Sequence, residues 1–130
     1  MARLKYLLDT HAFVFAAVDE EQLGVKAARV LHATPYEQLA ICDVTLQEIG
    51  LLLDGGVLRS KGLEKALEEW LDHVVVLPII LPIALSAPSL KLPHGDQFDR
   101  VITATARHHR LPLVTRDGNI ADSGLVETVW

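Results

Sequence analysis

Five acidic residues stand out by position: Asp9, Glu48, Asp96, Asp99 and Asp117. Asp9 directly follows the apolar run Tyr6-Leu7-Leu8, and Asp117 follows Pro112-Leu113-Val114-Thr115 by one residue, Arg116. In open parallel sheets ligands bind beyond the carboxyl ends of the strands, so an acid at such an end faces a crevice. Glu48 lies early in one helical stretch. Asp96 and Asp99 are three apart at the start of another and so share a helix face. Helix starts in such folds open toward the same rim, so acids from four segments can meet in one cleft. Carboxylates within about 4–6 Å of one another repel, and the cluster is tolerable only if some protonate or a cation joins them. Mg²⁺ prefers oxygen ligands, keeps several waters and commonly bridges to phosphate. It can activate water for attack on phosphorus and stabilise the leaving oxygen. Several acids with no histidine motif, P-loop or cysteine pair suit that chemistry.

Each acid also has a purely structural explanation. Thr45-Leu46-Gln47-Glu48 fits a capping box, in which Glu48 satisfies a backbone N–H. Asp96 is a natural N-cap, with Asp99 at a position where the helix dipole favours negative charge. Asp117-Gly118 is a common turn dipeptide, and Asp9-Thr10 fits a cap after a strand. Spacing by itself leaves both readings standing. Arg100 and Arg116 adjoin acids and fit either substrate-backbone contact or pairing with those acids. Asp9-Thr10-His11 lacks the second Asp of phosphatases with an aspartate nucleophile, and no late strand ends in the Lys of a receiver domain. His108-His109, between Arg107 and Arg110, reads as the solvated end of a helix, where positive charge suits the dipole. Cys42 lies in an apolar run and reads as an inert core residue.

The elements that must position these acids alternate. Leu4–Leu8, Gln38–Cys42, a Val-rich stretch from Val74, Pro112–Thr115 and Val126–Trp130 read as strands. Helical patterns run from Thr10, through Val25–Ala33, Asp43–Leu53, Lys61–His73, a short piece over Ile83–Leu90, and Gln97–Arg110. Asp117-Gly118-Asn119 reads as a turn. The alternation predicts an α/β domain with a mostly parallel central sheet flanked by helices. No linker or repeat interrupts residues 1–130, which predicts one domain.

At 130 residues with 50% hydrophobic and 22% charged content, the chain can bury a real core. The net charge of −5 is not that of an ordinary nucleic-acid binder, but cations held by clustered acids reverse the local sign. The longest apolar run, Val74–Leu85, is broken by Pro78 and Pro82 and is too short to span a membrane. One cysteine and no signal-peptide core predict a cytoplasmic protein. A mean hydropathy of +0.27 is high for a soluble monomer and points to an interface. Trp70, Leu51–Leu53 and the helix over Leu63–Leu71 are its candidate surface.

Leu7-Leu8-Asp9-Thr10-His11-Ala12-Phe13 at the start, Val44-Thr45-Leu46-Gln47-Glu48 in the middle, and His94-Gly95-Asp96-Gln97-Phe98-Asp99-Arg100 followed by Leu113-Val114-Thr115-Arg116-Asp117 resemble the PIN-domain toxins of VapBC type II toxin–antitoxin systems. The resemblance spans the whole chain in the family's order and approximate spacing. It implies a PIN-like fold and an Mg²⁺- or Mn²⁺-dependent endoribonuclease that leaves 5′-phosphate and 3′-hydroxyl ends. It also implies a homodimer held inactive by a cognate VapB-type antitoxin lying across the active-site groove. By motif, Asp9, Glu48, Asp99 and Asp117 are the catalytic and metal-binding acids. Asp96 binds the metal or its water, and Thr10 and Thr115 hold the site from behind. Gln97 stands where the family usually has Pro, which costs the helix start some preorganisation but removes no ligand. The alternatives are a PIN nuclease acting in RNA processing or on DNA, and a catalytically silent PIN binding module.

Overall fold

The computed structural model describes residues 3–59, 61–93 and 96–130. Five short strands, β1 (Tyr6–Leu8), β2 (Leu39–Cys42), β3 (Val75–Leu77), β4 (Leu113–Val114) and β5 (Thr128–Val129), form one sheet in the order β3-β2-β1-β4-β5. Every pairing is parallel; Leu7 lies beside both Ala40 and Leu113, and Leu8 beside both Ile41 and Val114. The helices are α1 (Thr10–Val18), α2 (Val25–Ala33), α3 (Asp43–Asp54), α4 (Leu63–Leu71), α5 (Leu81–Ser86), α6 (Gln97–His109) and α7 (Gly118–Ser123).

Successive strand residues face opposite ways, and both faces here are covered. Leu8, Leu39, Ile41 and Val114 pack with Phe13 of α1, Leu31 of α2, Ile49 of α3 and Leu67 of α4. Leu7, Ala40, Cys42 and Leu113 pack on the other face with Ile102 and Ala106 of α6 and Ile120 of α7. Full burial of each large side chain contributes on the order of 1.5–3 kcal/mol. The strands therefore read as continuous apolar runs, and the expected α/β class with a parallel sheet flanked by helices stands.

Several boundaries differ from expectation. β1 spans only Tyr6–Leu8, and β5 only Thr128–Val129, because ladder pairing stops there. α4 begins at Leu63 because Gly62 takes a left-handed φ of 78°. The short helix near Ile83 begins earlier, at Leu81, and gives way to a 3₁₀ turn over Ala87–Ser89. The Asp117 segment is not a simple turn: Asp117 caps α7, and Ile120, 1% exposed, anchors that helix in the core.

The apolar surplus also lies elsewhere than expected. Leu63 and Leu67 are core residues, and Trp70 packs edge-on against Phe13 and Tyr36, with centroids 6.1 and 4.9 Å away. Leu51 is exposed, but the larger exposed apolar surface runs through Val75, Val76, Ile79, Ile80, Leu81 and Leu85. No helix among the described residues is long and apolar enough to cross a membrane.

Trp130 closes the sheet onto α2. Its carbonyl oxygen accepts the Ala27 N–H at 2.9 Å, and a Cβ on Gly24 would lie 2.3 Å from that oxygen. Backbone atoms cannot yield that far. Gly24→Ala is expected to destabilise the fold by about 1–3 kcal/mol in urea unfolding, as overpacking does; an unchanged midpoint would show that Trp130 is not so fixed.

Candidate active site

The sheet runs from β1 outward to β2 and β3, then returns to the other side of β1 for β4 and β5. The reversal leaves a crevice at the carboxyl ends of β1 and β4, the topological switch point. Asp9 is the residue after β1. Its N–H donates to Val114 O at 3.1 Å, which sets it beside Thr115. Asp9 is 8% exposed and caps α1, with Oδ1 accepting the Ala12 N–H at 2.8 Å and Oδ2 accepting the Thr115 hydroxyl. The same Thr115 oxygen accepts the Asp117 N–H at 3.1 Å. One buried hydroxyl thus fixes both strand-end aspartates.

Asp117 and Asp96 repeat the device. Oδ1 of Asp117 accepts the Asn119 and Ile120 N–H groups at 2.8 and 3.2 Å. Oδ1 of Asp96 accepts those of Phe98 and Asp99 at 2.8 and 3.4 Å. A carboxylate carries two oxygens and about four acceptor sites, so capping leaves capacity for a cation. The structural and functional explanations of these acids are therefore compatible. Glu48 is different. α3 starts at Asp43, so Thr45 lies within its first turn, and its hydroxyl accepts the Thr10 hydroxyl at 3.1 Å. The expected Thr45–Glu48 capping box is not formed, and the buried Thr10–Thr45 pair ties α1 to α3.

Asp9, Glu48, Asp96 and Asp117 all come within electrostatic reach of Asp99. Asp99 is pushed up to about 7, first by burial and then by the charges of Asp96, Asp117, Asp9 and Glu48. Burial also raises Asp9, against the pull of Thr115, the Ala12 N–H and His11, and Glu48 adds to the rise. Asp99 and Asp117 line a crevice of about 10 Å³, barely room for one water. Among the described residues no three metal-ligating side chains close into a finished cage. That is compatible with Mg²⁺, which needs only one or two direct carboxylates and keeps its waters. The donor set fits: hard oxygens only, with an excess of negative charge and, among the described residues, no cation among the groups that perturb Asp99.

The arginines take other places than the acids beside them suggested. Arg100 donates through Nη1 to Leu90 O and through Nη2 to Leu92 O at 3.2 Å, tethering the segment before α6. Arg116 lies over the Phe15 ring, 5.1 Å from its centroid. The bond of Thr45 to Thr10 and the part played by Asp43 are not evident in the sequence. Asp43 also follows a strand, β2, but its Oδ2 accepts the Ile79 N–H at 3.0 Å and fastens the connection after β3. Gln97 opens α6 without a proline, under the Asp96 cap. His94 and Gly95 of the motif lie outside the described residues. Cys42 is buried, paired with the Thr105 hydroxyl at 3.1 Å, and burial pushes its thiol up, consistent with a core role.

The PIN domain family model matches residues 6–124. The chain belongs to the PIN-domain family. It is 28% identical over 114 residues to Ribonuclease VapC22 of Mycobacterium tuberculosis, covering 85% of each chain. In fold it is similar to VapBC2 of Rickettsia felis bound to a promoter DNA fragment, with a TM-score of 0.71, 17% identity, and 96% and 97% of the two chains covered. It is also similar to DNA-bound VapBC of Salmonella typhimurium, with a TM-score of 0.70, 20% identity and 96% of both chains covered.

A carboxyl raised on folding takes up protons as the chain folds, so its ionisation opposes folding at high pH. For Asp99 the penalty is absent below the ordinary value of 3.8, grows as pH rises, and is complete above about 7. In metal-free protein Asp99→Asn should raise the melting temperature at pH 8 by about a few degrees. The gain should vanish near pH 4. A gain independent of pH would contradict this account.

Proposed function

We propose that this chain is an Mg²⁺-dependent endoribonuclease and the toxin partner of a VapB-type antitoxin. The carrying observation is the convergence of Asp9, Glu48, Asp96, Asp99 and Asp117 at the switch point of a parallel sheet. The likeness to Ribonuclease VapC22 supports RNA as the substrate. Neighbours of similar fold are VapBC complexes, which supports an antitoxin partner.

Asp9, Glu48 and Asp99 would hold Mg²⁺, with Asp117 and Asp96 completing the set, and Mn²⁺ satisfies the same oxygen ligands. When bound, Mg²⁺ supplies the positive charge that phosphodiester hydrolysis develops a need for. The chain's own part is preorganisation. Thr115 and the Ala12 N–H fix both oxygens of Asp9, so its carboxylate does not reorient when substrate arrives. Thr10, through Thr45, holds the first turn of α1 against α3.

Asp99→Asn is expected to lower Mg²⁺-dependent cleavage of single-stranded RNA by about 100-fold or more while the fold persists, since even a residue supporting a metal ligand is worth about 10- to 100-fold. EDTA should stop the wild-type enzyme, and matched DNA should survive. Wild-type cleavage by Asp99→Asn would remove the acid from the mechanism. Failure of the wild-type chain to cut any RNA would favour a silent binding module.

The exposed Val75, Val76, Ile79, Ile80, Leu81 and Leu85 fit a homodimer face, because exposed patches of this kind mark association surfaces. Leu81→Asp with Leu85→Asp should convert a dimer to a monomer in sedimentation, with unchanged circular dichroism. A wild-type chain that sediments as a monomer at about micromolar concentration, the 1 μM range of ordinary specific association, would refute the dimer.

A further inference from the structure

On the β5 side of the acids lies a group of rings that the metal chemistry does not use. Phe15 is in α1, one helical turn beyond His11, and is only partly buried although its neighbours Val14 and Ala16 belong to the core. The Arg116 guanidinium sits 5.1 Å from the Phe15 centroid. His11 and Trp130 flank the same ring with centroids 6.0 and 6.4 Å away. These residues are tied to the acids by covalent neighbourhood: His11 follows Asp9 by two, Arg116 precedes Asp117, and Trp130 follows β5, the strand beside β4. Beyond Phe15 a cavity of about 200 Å³ continues along Val18, Asp19, Val57, Leu58 and Arg59. It is below the size of drug-sized pockets and on the scale of a single ring system.

Unpaired RNA bases are held by stacking on aromatic rings and guanidinium planes, an interaction available to every base. A guanidinium over a ring beside an acid cluster supplies both elements, a stacking face and positive charge for the phosphate that an acidic protein otherwise repels. Resting on the nuclease reading, we propose that Phe15 and Arg116, bordered by His11 and Trp130, form a stacking subsite for a nucleobase flanking the scissile phosphate of single-stranded RNA. The subsite selects unpaired over duplex RNA, because a base must leave its helix to reach Phe15.

Two readouts test it on the full chain. In Mg²⁺, Phe15→Ala raises KM for a mixed-sequence single-stranded RNA by about 5- to 150-fold, the range of one lost base stack, with kcat within about twofold. In EDTA, where RNA stays intact, the same RNA quenches Trp130 emission, while Trp70, packed between Phe13 and Tyr36, stays constant. An RNA with abasic positions does not quench. Phe15→Leu, which keeps apolar bulk, behaves as Phe15→Ala, and Phe15→Trp restores KM. Wild-type KM in Phe15→Leu, or equal quenching by abasic RNA, overturns the subsite while leaving the nuclease reading intact. An effect of Phe15→Ala on antitoxin binding with unchanged RNA kinetics also overturns it, assigning the face to protein. If the wild-type chain neither cuts nor binds RNA, the nuclease reading itself has failed.

Discussion

The hydroxyl of Thr115 is the joint on which the site depends. It donates to Asp9 and accepts from the backbone of Asp117, so β1 and β4 are locked in phase at the point where the sheet reverses direction. A buried hydroxyl with one partner removed costs about 1–3 kcal/mol, which is why such a joint does not slip. Parallel pairing sets the strands side by side, and the threonine sets their functional ends at a common height.

Around that joint the chain uses one solution three times. Asp9, Asp96 and Asp117 each cap the helix that follows them, through Oδ1 in every case. Capping by Asp contributes about 0.5–2 kcal/mol, and the same bonds orient the carboxylate. Helix formation and site formation are therefore one event. Burial and repulsion oppose it: Asp99, half-buried and facing four other acids, is pushed up to about 7. A cation that binds the folded chain alone relieves that repulsion and stabilises the fold by mass action. The site is held together by caps and pulled apart by charge.

Most of this was legible in the residues. Apolar runs buried on both faces mark β1, β2 and β4. Acids just past those runs and at helix starts mark the rim, and the ordered motif joined Asp9, Glu48, Asp99 and Asp117 into one set. Less legible were features set by distant partners. Thr45 reads locally as half of a capping box, yet its hydroxyl belongs to Thr10, 35 residues away. Asp117-Gly118 reads as a turn because Ile120 reveals its role only when the core receives it. Leu63 and Leu67 look like interface on an amphipathic helix, since periodicity gives a face and not what covers it. The tethering by Arg100 is likewise invisible locally, since its acceptors Leu90 and Leu92 lie 10 and 8 residues back.

The separation of the partners at the joint has a consequence for how the protein comes into being. Asp9 and Thr115 are 106 positions apart, and the strands that carry them are direct neighbours. Chains emerge from the ribosome at about 5–20 residues per second, so Asp9 is exposed for several seconds before its partner is made. Closing so long a loop is slow compared with forming local helices. During that interval α1 can form, but Asp117 is absent, and Asp9 lacks the hydroxyl that orients its second oxygen. The nascent chain thus carries its acids in an unassembled state. Whatever chemistry the site performs switches on as a late step of folding, after most of the polypeptide already exists.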